Sequence, residues 1–434
     1  MFFSSHVPSP GASRHPLPKG EGKRKIYFLN PFFGLVLLGL ALAALHLWQG
    51  VTTDEAKYLL NIPYPHPPLA RSIIGFISSI AGHEAFWRCI LAILLLQGTW
   101  LASACAPSRE RGAKLLLAGL WILSTAVFVW GGSVLLAPLT ALQMLAFCYW
   151  LLKGEDLPAR TDPRYGSGGE RMIGWMALFW LASLFTAYQA ILFIPIVAVV
   201  FWRMQLPKWQ RLVALFGPVL LLVLYTATNP LAVASMITAS GQNLSVGSLL
   251  AALRGTLWLW VLGGSLVASV LGTIGMLASR RWSLIFSFLL VAAFISLSFR
   301  PYYAILFTPL FLAGLASSPS LMRRAGSTIL LTLACALVFV PMAFPKSDPS
   351  PVSVVYAAVE QAGIPQGATA IIAGSFGHEW QYGPYVVRRM VSNPHLLDSA
   401  RVAVCLAECP DIRGRAGWKQ LPGVPVETWV RPIR

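Results

Sequence analysis

Uninterrupted apolar stretches recur along this chain at the length of a bilayer crossing, and no other feature limits the fold so tightly. They fall at about 28–48, 86–104, 115–130, 134–152, 172–187, 189–202, 211–228, 255–277, 282–299, 302–318 and 327–344, which predicts about eleven helical spans. The run from Met172 to Trp202 is the hardest to divide: its 31 residues are too many for one upright helix and few for two. A re-entrant pair or one tilted helix would also satisfy it. Only 11% of the residues are charged and 56% are hydrophobic, whereas a soluble domain carries roughly 25% charged residues. A water-soluble enzyme is excluded, as are a disordered chain, a collagen-like chain and a disulfide scaffold.

The net charge of +17 would point to nucleic acid in a soluble domain, but its placement points to a membrane. Nineteen of the 33 basic residues fall in the N-terminal tail and in alternate loops, among them Lys23, Arg24, Lys25, Arg109, Arg111, Arg203, Lys208, Arg280 and Arg281. The opposite loops hold only Lys57, Arg71, Arg88, Arg254 and Arg300. Short cytoplasmic loops are the ones enriched in Lys and Arg, so the N-terminus is expected inside and, with an odd span count, the C-terminus outside. A cleaved signal peptide is the rival reading of residues 1–48, against which stands the lack of a small-residue cleavage site. The expected organisation is a disordered cytoplasmic tail at 1–25, a transmembrane domain at 26–345 with its first outside loop at 49–84, and an extracytoplasmic domain at 346–434. The last should be a small α/β unit, with a helix over Val352–Ala362 and strands in 369-TAIIAG-374, 401-RVAVCLA-407 and 426-VETWV-430.

Acidic residues are scarce enough to decide where carboxylate chemistry can occur. There are sixteen in all, and none lies between Glu170 and Asp348. On the outside face the membrane domain offers only Asp54, Glu55 and Glu84, the first two adjacent in 51-VTTDEAKYLLNIPYPHPPLARS-72. Thr52 or Thr53 can cap a short helix that sets Asp54, Lys57 and Tyr58 on one face. Pro63, Pro65, Pro67 and Pro68 then force an extended turn carrying His66. Beyond it Leu69, Ile73, Phe76, Ile77 and Ile80 share one face of a helix suited to lie in the membrane interface. Taken alone, an acidic pair here reads equally as a solvated loop with Lys57 paired locally.

The motif Asp54-Glu55, Tyr58 and 66-HPPL-69 before an interfacial helix resembles the GT-C integral-membrane glycosyltransferases, in particular the bacterial relatives of protein O-mannosyltransferases and of lipid A aminoarabinose transferases. The stretches 182-ASLFTAYQAILFIPIVAV-199 and 300-RPYYAILFTPLFLAGLA-316 are also similar, and Gln189 departs from the pattern where many relatives place a Lys. The resemblance implies a mainly α, polytopic bundle of GT-C type. It further implies transfer of a sugar from a polyprenyl-phosphate carrier to an acceptor hydroxyl of a glycan, lipid or protein, on the outer face of a bacterial inner membrane. Asp54 then takes the place of the catalytic acid group, serving as the base. Partial desolvation at the interface would raise its pKa, which suits that work. Glu55 is expected either to orient the acceptor and Asp54 or to cap the helix start. Lys57, Arg254 and Arg300 are the candidates for the donor phosphate, with snorkelling at an aromatic belt the alternative for Arg300. Tyr58, His66 and Tyr302 are the candidates for substrate contact.

One base and a phosphate leaving group imply inversion; a retaining route would need Glu55 as nucleophile. No cofactor is required, although Asp54 and Glu55 leave room for a divalent metal. The rival function is a transporter or flippase of a lipid-linked glycan, which should carry ionisable groups at mid-membrane depth. In the outside domain Cys405 and Cys409 are candidates for a disulfide. The stretch 374-GSFGHEWQYGPY-385 suits either a loop contacting sugar or acceptor, or aromatic packing within the domain.

Overall fold

A computed structural model describes residues 31–62, 67–81, 84–107, 111–153, 166–204, 207–234, 266–297, 300–323, 325–343, 350–374, 376–389, 396–407, 412 and 414–432. The predicted tail, His66, Arg254 and Cys409 lie outside them. The first part is helical: α1 (Pro31–Gln49), α2 (Thr53–Leu59), α3 (Pro68–Ala81), α4 (Glu84–Ala104), α5 (Arg111–Ile122), α6 (Thr125–Trp130), α7 (Leu136–Lys153), α8 (Gly166–Thr186), α9 (Ile194–Trp202), α10 (Lys208–Thr228), α11 (Leu266–Ala278), α12 (Trp282–Leu297), α13 (Phe307–Ala316) and α14 (Ala325–Ala343). Among the described residues α4, α7 and α10 are long and apolar enough to cross a membrane by themselves. Shorter apolar helices accompany them, so lengths alone do not count the spans.

Two of the predicted runs are broken. The run at 115–130 stops at α5 and restarts as α6, and the run from Met172 to Trp202 divides at Ala187 into α8, a 3₁₀ turn at Tyr188–Phe193, and α9. Such breaks free backbone groups that a lipid environment cannot satisfy, so they belong inside the protein, and Ser124, Ala187 and Ala190 are indeed buried. Hydroxyls within the helices bond back to their own preceding turn, as Thr140 does to the Leu136 carbonyl at 3.0 Å and Thr332 to that of Thr328 at 2.7 Å. The outward faces of α10 and α14 are apolar, with Leu221, Val223, Leu224, Leu330 and Leu337 exposed, as a lipid-facing surface requires. Helices α11 and α13 approach so closely that a Cβ added at Gly272 would come within 2.5 Å of the Phe311 carbonyl. Small residues at a helix crossing let backbones meet in this way, which is a principal source of association in lipid.

The C-terminal part is a small α/β unit. A helix, α15 (Pro351–Gln361), precedes a five-stranded sheet of β1 (Thr369–Ala373), β2 (Val386–Arg389), β3 (Val402–Cys405), β4 (Lys419–Gln420) and β5 (Glu427–Val430) in the order β2-β1-β3-β5-β4. β1 is parallel to both β2 and β3, and β5 is antiparallel to β3 and β4. Alternation along β1 and β3 divides two cores: Ala370, Ile372, Val402 and Val404 face α15, while Ile371 and Ala403 face Leu397 and Trp418. Helix α15 and strands β1, β3 and β5 lie where the sequence predicts them, whereas β2 and the two-residue β4 are too short and polar to stand out. Cys405 is disulfide-bonded.

Candidate active site

Gly50 carries the chain from α1 into the short helix that holds the acidic pair, with a φ of +78° that a side chain would oppose. Thr52 caps α2 and forms a capping box with Glu55. Seven residues are too few for an independent helix, so contacts from elsewhere must hold it. Successive residues on a helix point about 100° apart, and Thr53, Asp54 and Glu55 accordingly reach three different partners.

Glu55 is 2% exposed and Arg88, in the first turns of α4, is 1% exposed. The two form a bidentate pair, Nη1 to Oε1 at 2.7 Å and Nη2 to Oε2 at 3.2 Å. Arg88 also donates through Nε to Glu84 at 2.6 Å and through its Nη groups to the carbonyls of Gly132 and Gly50, both at 3.0 Å. A guanidinium has five N–H donors, and all five are used. Glu55 accepts in addition from the Val134 N–H at 2.8 Å, the Thr52 N–H at 2.9 Å and the Thr52 hydroxyl at 3.0 Å. Its oxygens are thus committed to protein donors, an arrangement that fits helix capping and anchoring. The same commitment makes Asp54 and Glu55 a poor joint metal site. Among the described residues no group of three or more His, Cys, Asp or Glu is arranged to hold a metal ion.

Asp54 points elsewhere. Lys57 Nζ donates to Oδ1 at 2.9 Å and the Tyr302 hydroxyl donates to Oδ2 at 3.1 Å. Desolvation by burial is the largest influence on this carboxyl and pushes its pKa up, yet the net direction is down. The Lys57 ammonium, the Tyr302 hydrogen bond and the charge of Arg300 together outweigh burial. The expectation of a raised pKa is therefore corrected: sequence counts the lost water but not the phenol and the second cation, which arrive from 246 or more residues away. Tyr302 stands edge-on to Trp130 at 6.0 Å and to Tyr303 at 4.7 Å between ring centres. Tyr303 in turn accepts a hydrogen bond from Gln189 at 3.0 Å, so Gln189 is buried in this aromatic wall.

Of the site residues read from sequence, Asp54, Lys57, Tyr302 and Arg300 converge. Arg300 is exposed at the start of the 3₁₀ turn Pro301–Leu306. Tyr58 is buried in one apolar cluster with Leu59, Trp87 and Val134. His66 and Arg254 lie outside the described residues. Arg88 was visible only as one of five cations opposite the basic face; its spacing of four from Glu84 inside an apolar run was the available signal. The C-terminal domain also reaches the site, since the Thr53 hydroxyl donates to the Glu379 carboxylate. Tyr382 packs at the edge of the cluster around Tyr58 and Trp87, where burial and the neighbouring charge of Glu84 push its phenol pKa up.

The helical bundle with its small C-terminal sheet has a fold already seen in solved structures. The solved structure of ArnT from Cupriavidus metallidurans bound to undecaprenyl phosphate matches at a TM-score of 0.62 and 15% identity, over 92% of this chain and 97% of that one. The apo form of the same protein matches at 0.60 and 16% identity, over 92% and 98%. The archaeal oligosaccharyltransferase AglB from Archaeoglobus fulgidus, in complex with an inhibitory peptide and a dolichol-phosphate, is more distant at 0.42 and 10% identity, over 86% and 69%. No protein-family profile and no curated protein sequence matches the chain. At these identities the likeness establishes the fold.

Proposed function

We propose that the protein is a membrane glycosyltransferase that moves a sugar from a polyprenyl-phosphate carrier to an acceptor hydroxyl at the outer face of the bacterial inner membrane. One observation carries the reading: a carboxylate fixed between an ammonium and a phenol, at the end of an apolar bundle whose fold is that of a protein solved with undecaprenyl phosphate. The carrier solves a transport problem, because a nucleotide sugar does not cross a bilayer whereas a polyprenyl phosphate presents its sugar at the headgroup boundary. Asp54 takes the proton of the acceptor hydroxyl as that oxygen attacks the anomeric carbon, and the carbon–phosphate oxygen bond breaks towards the lipid. Lys57 and Arg300 stabilise the charge growing on the departing phosphate. With Glu55 sequestered by Arg88, Asp54 acts alone and the anomeric centre inverts.

The transporter reading calls for charged groups at mid-depth. Among the described residues of the bundle, the buried ion pair of Arg88 and Glu55 sits at the end of α4 that meets α2, which favours an anchor over a translocation path. The two readings separate in proteoliposomes loaded with a radiolabelled undecaprenyl-phosphate sugar. A transferase releases free undecaprenyl phosphate in proportion to labelled acceptor, whereas a flippase moves the label between leaflets and leaves the donor intact. Movement without consumption would overturn the proposal.

A further inference from the structure

Among the described residues, the C-terminal domain meets the bundle at α2, the short helix that carries Asp54. Its 3₁₀ turn at His378–Gln381 lies against α2, where Glu379 accepts from the Thr53 hydroxyl. The fit is close: a Cβ added at Gly377 would collide with both Thr53 Oγ1 and Glu379. A second touch is at Gly50, where an added Cβ would stand 3.2 Å from Ser350 Cβ, and a third is Tyr382 against the apolar cluster under α2. The turn is itself fixed to its own domain. Trp380 is buried against Tyr356 at 5.8 Å between ring centres, and the Tyr356 hydroxyl donates to the Trp380 carbonyl at 2.5 Å.

A consequence follows from helix geometry. Asp54 has one chain neighbour, Glu55, bound to α4 through Arg88, and the other, Thr53, bound to the C-terminal domain. Both flanking side chains point roughly 100° away from Asp54, in opposite senses about the axis, so each bond resists rotation of α2 that the other alone would permit. A short helix with one such restraint can turn about its contact, and a turn of a few tens of degrees carries the Asp54 carboxylate off Tyr302. We infer that Glu379 is a positioning residue that sets the azimuth of the Asp54 carboxylate through Thr53, and that the C-terminal domain is thereby a working part of the site. This rests on the transferase reading for its functional consequence; the mechanical claim stands without it.

The test uses the full-length protein in nanodiscs. Hydrogen exchange of the amides at 54–60 is read in wild type, Glu379→Ala, Glu379→Gln, Thr53→Val and the double variant Thr53→Val with Glu379→Ala. Exchange in α2 should rise about tenfold in Glu379→Ala and Thr53→Val, rise no further in the double variant, and stay near wild type in Glu379→Gln, whose amide oxygen still accepts from Thr53. Protection of β1 and β3 reports that the domain remains folded. Unchanged exchange in α2 with a folded domain, or additive effects, overturns the inference. In the donor-consumption assay, Glu379→Ala should lower kcat about tenfold with the donor KM within about twofold, and Glu379→Gln should restore it. If wild type consumes donor and Glu379→Ala keeps its kcat, positioning is refuted while the transferase reading stands. If wild type consumes none while α2 loosens as described, the transferase reading falls and the clasp remains. A Thr53→Cys, Glu379→Cys pair supplies the converse: oxidation should restore wild-type protection of α2, and failure to do so in a folded domain counts against the inference.

Discussion

Replacing Arg88 with Met keeps most of the side-chain volume and deletes the charge, which isolates the electrostatic role of the hub. Glu55, 2% exposed, then loses both bonds of its bidentate pair and is left as a buried charge supported only by the Thr52 and Val134 donors. Breaking a buried pair from one side costs about 3–5 kcal/mol. The carbonyls of Gly50 and Gly132 lose their donors too, each worth about 1 kcal/mol where water does not replace it. The expected loss is therefore on the order of 5 kcal/mol. In detergent micelles this should lower the Tm by roughly 5 °C or more in a chain of this size. A double variant, Arg88→Met with Glu55→Leu, removes both charges and should be less destabilised than the sum of the single changes by about 2 kcal/mol. A Tm for Arg88→Met within a degree of wild type, or strict additivity in the cycle, would show that the pair does not anchor α2.

Four further expectations follow from the structure. Because burial raises the Asp54 pKa and its partners reverse that rise, Lys57→Met should move the acid limb of the activity profile upward, and Tyr302→Phe should do so to a smaller extent. The folded-state pKa lies below the ordinary value of 3.8, so Asp54 contributes stability that is present above that pH and is lost as pH falls through the lowered pKa; an acid-unfolding titration of Asp54→Asn against wild type should lose that component. Gly275→Leu, at the meeting of α11 and α13, should cost about 1–3 kcal/mol or more by forcing the backbones apart, read as a lowered Tm with a proportionate loss of folded yield. Finally, Ser353→Cys, on the exposed side of α15, should be labelled by a membrane-impermeant maleimide in intact cells, and labelling only after permeabilisation would reverse the proposed orientation.

What the sequence made legible was local. The cap at Thr52 and the sharing of one helix face by Asp54 and Lys57 both follow from spacing within a single short loop. The helix Pro351–Gln361 and the apolar strands were equally plain, since their patterns are periodic over their own length. What remained hidden depends on distant chain segments. Arg88 meets Glu55 across 33 residues, Tyr302 meets Asp54 across 248, and Glu379 meets Thr53 across 326. No periodicity records such pairings. The sign of the Asp54 shift failed for the same reason, and the division between Glu55 as anchor and Asp54 as the carboxylate held by Lys57 and Tyr302 appears only once Arg88 is seen to use all five donors. In the stretch 374–385, Trp380 packs inside the domain, as the packing reading has it, while Glu379 turns to α2, a contact that neither reading names.

The account stands on an ionised Asp54 acting as base at the headgroup level, and the most direct measurement is single-turnover transfer from synthetic undecaprenyl-phosphate sugars by purified wild type and Asp54→Asn. Loss of a well-placed general base typically costs 10²–10⁴-fold, so the variant should stay folded, with only the modest loss of stability that removing the Asp54 charge entails, keep its affinity for undecaprenyl phosphate and lose transfer by about that factor. A folded Asp54→Asn protein that transfers sugar at the wild-type rate would contradict it.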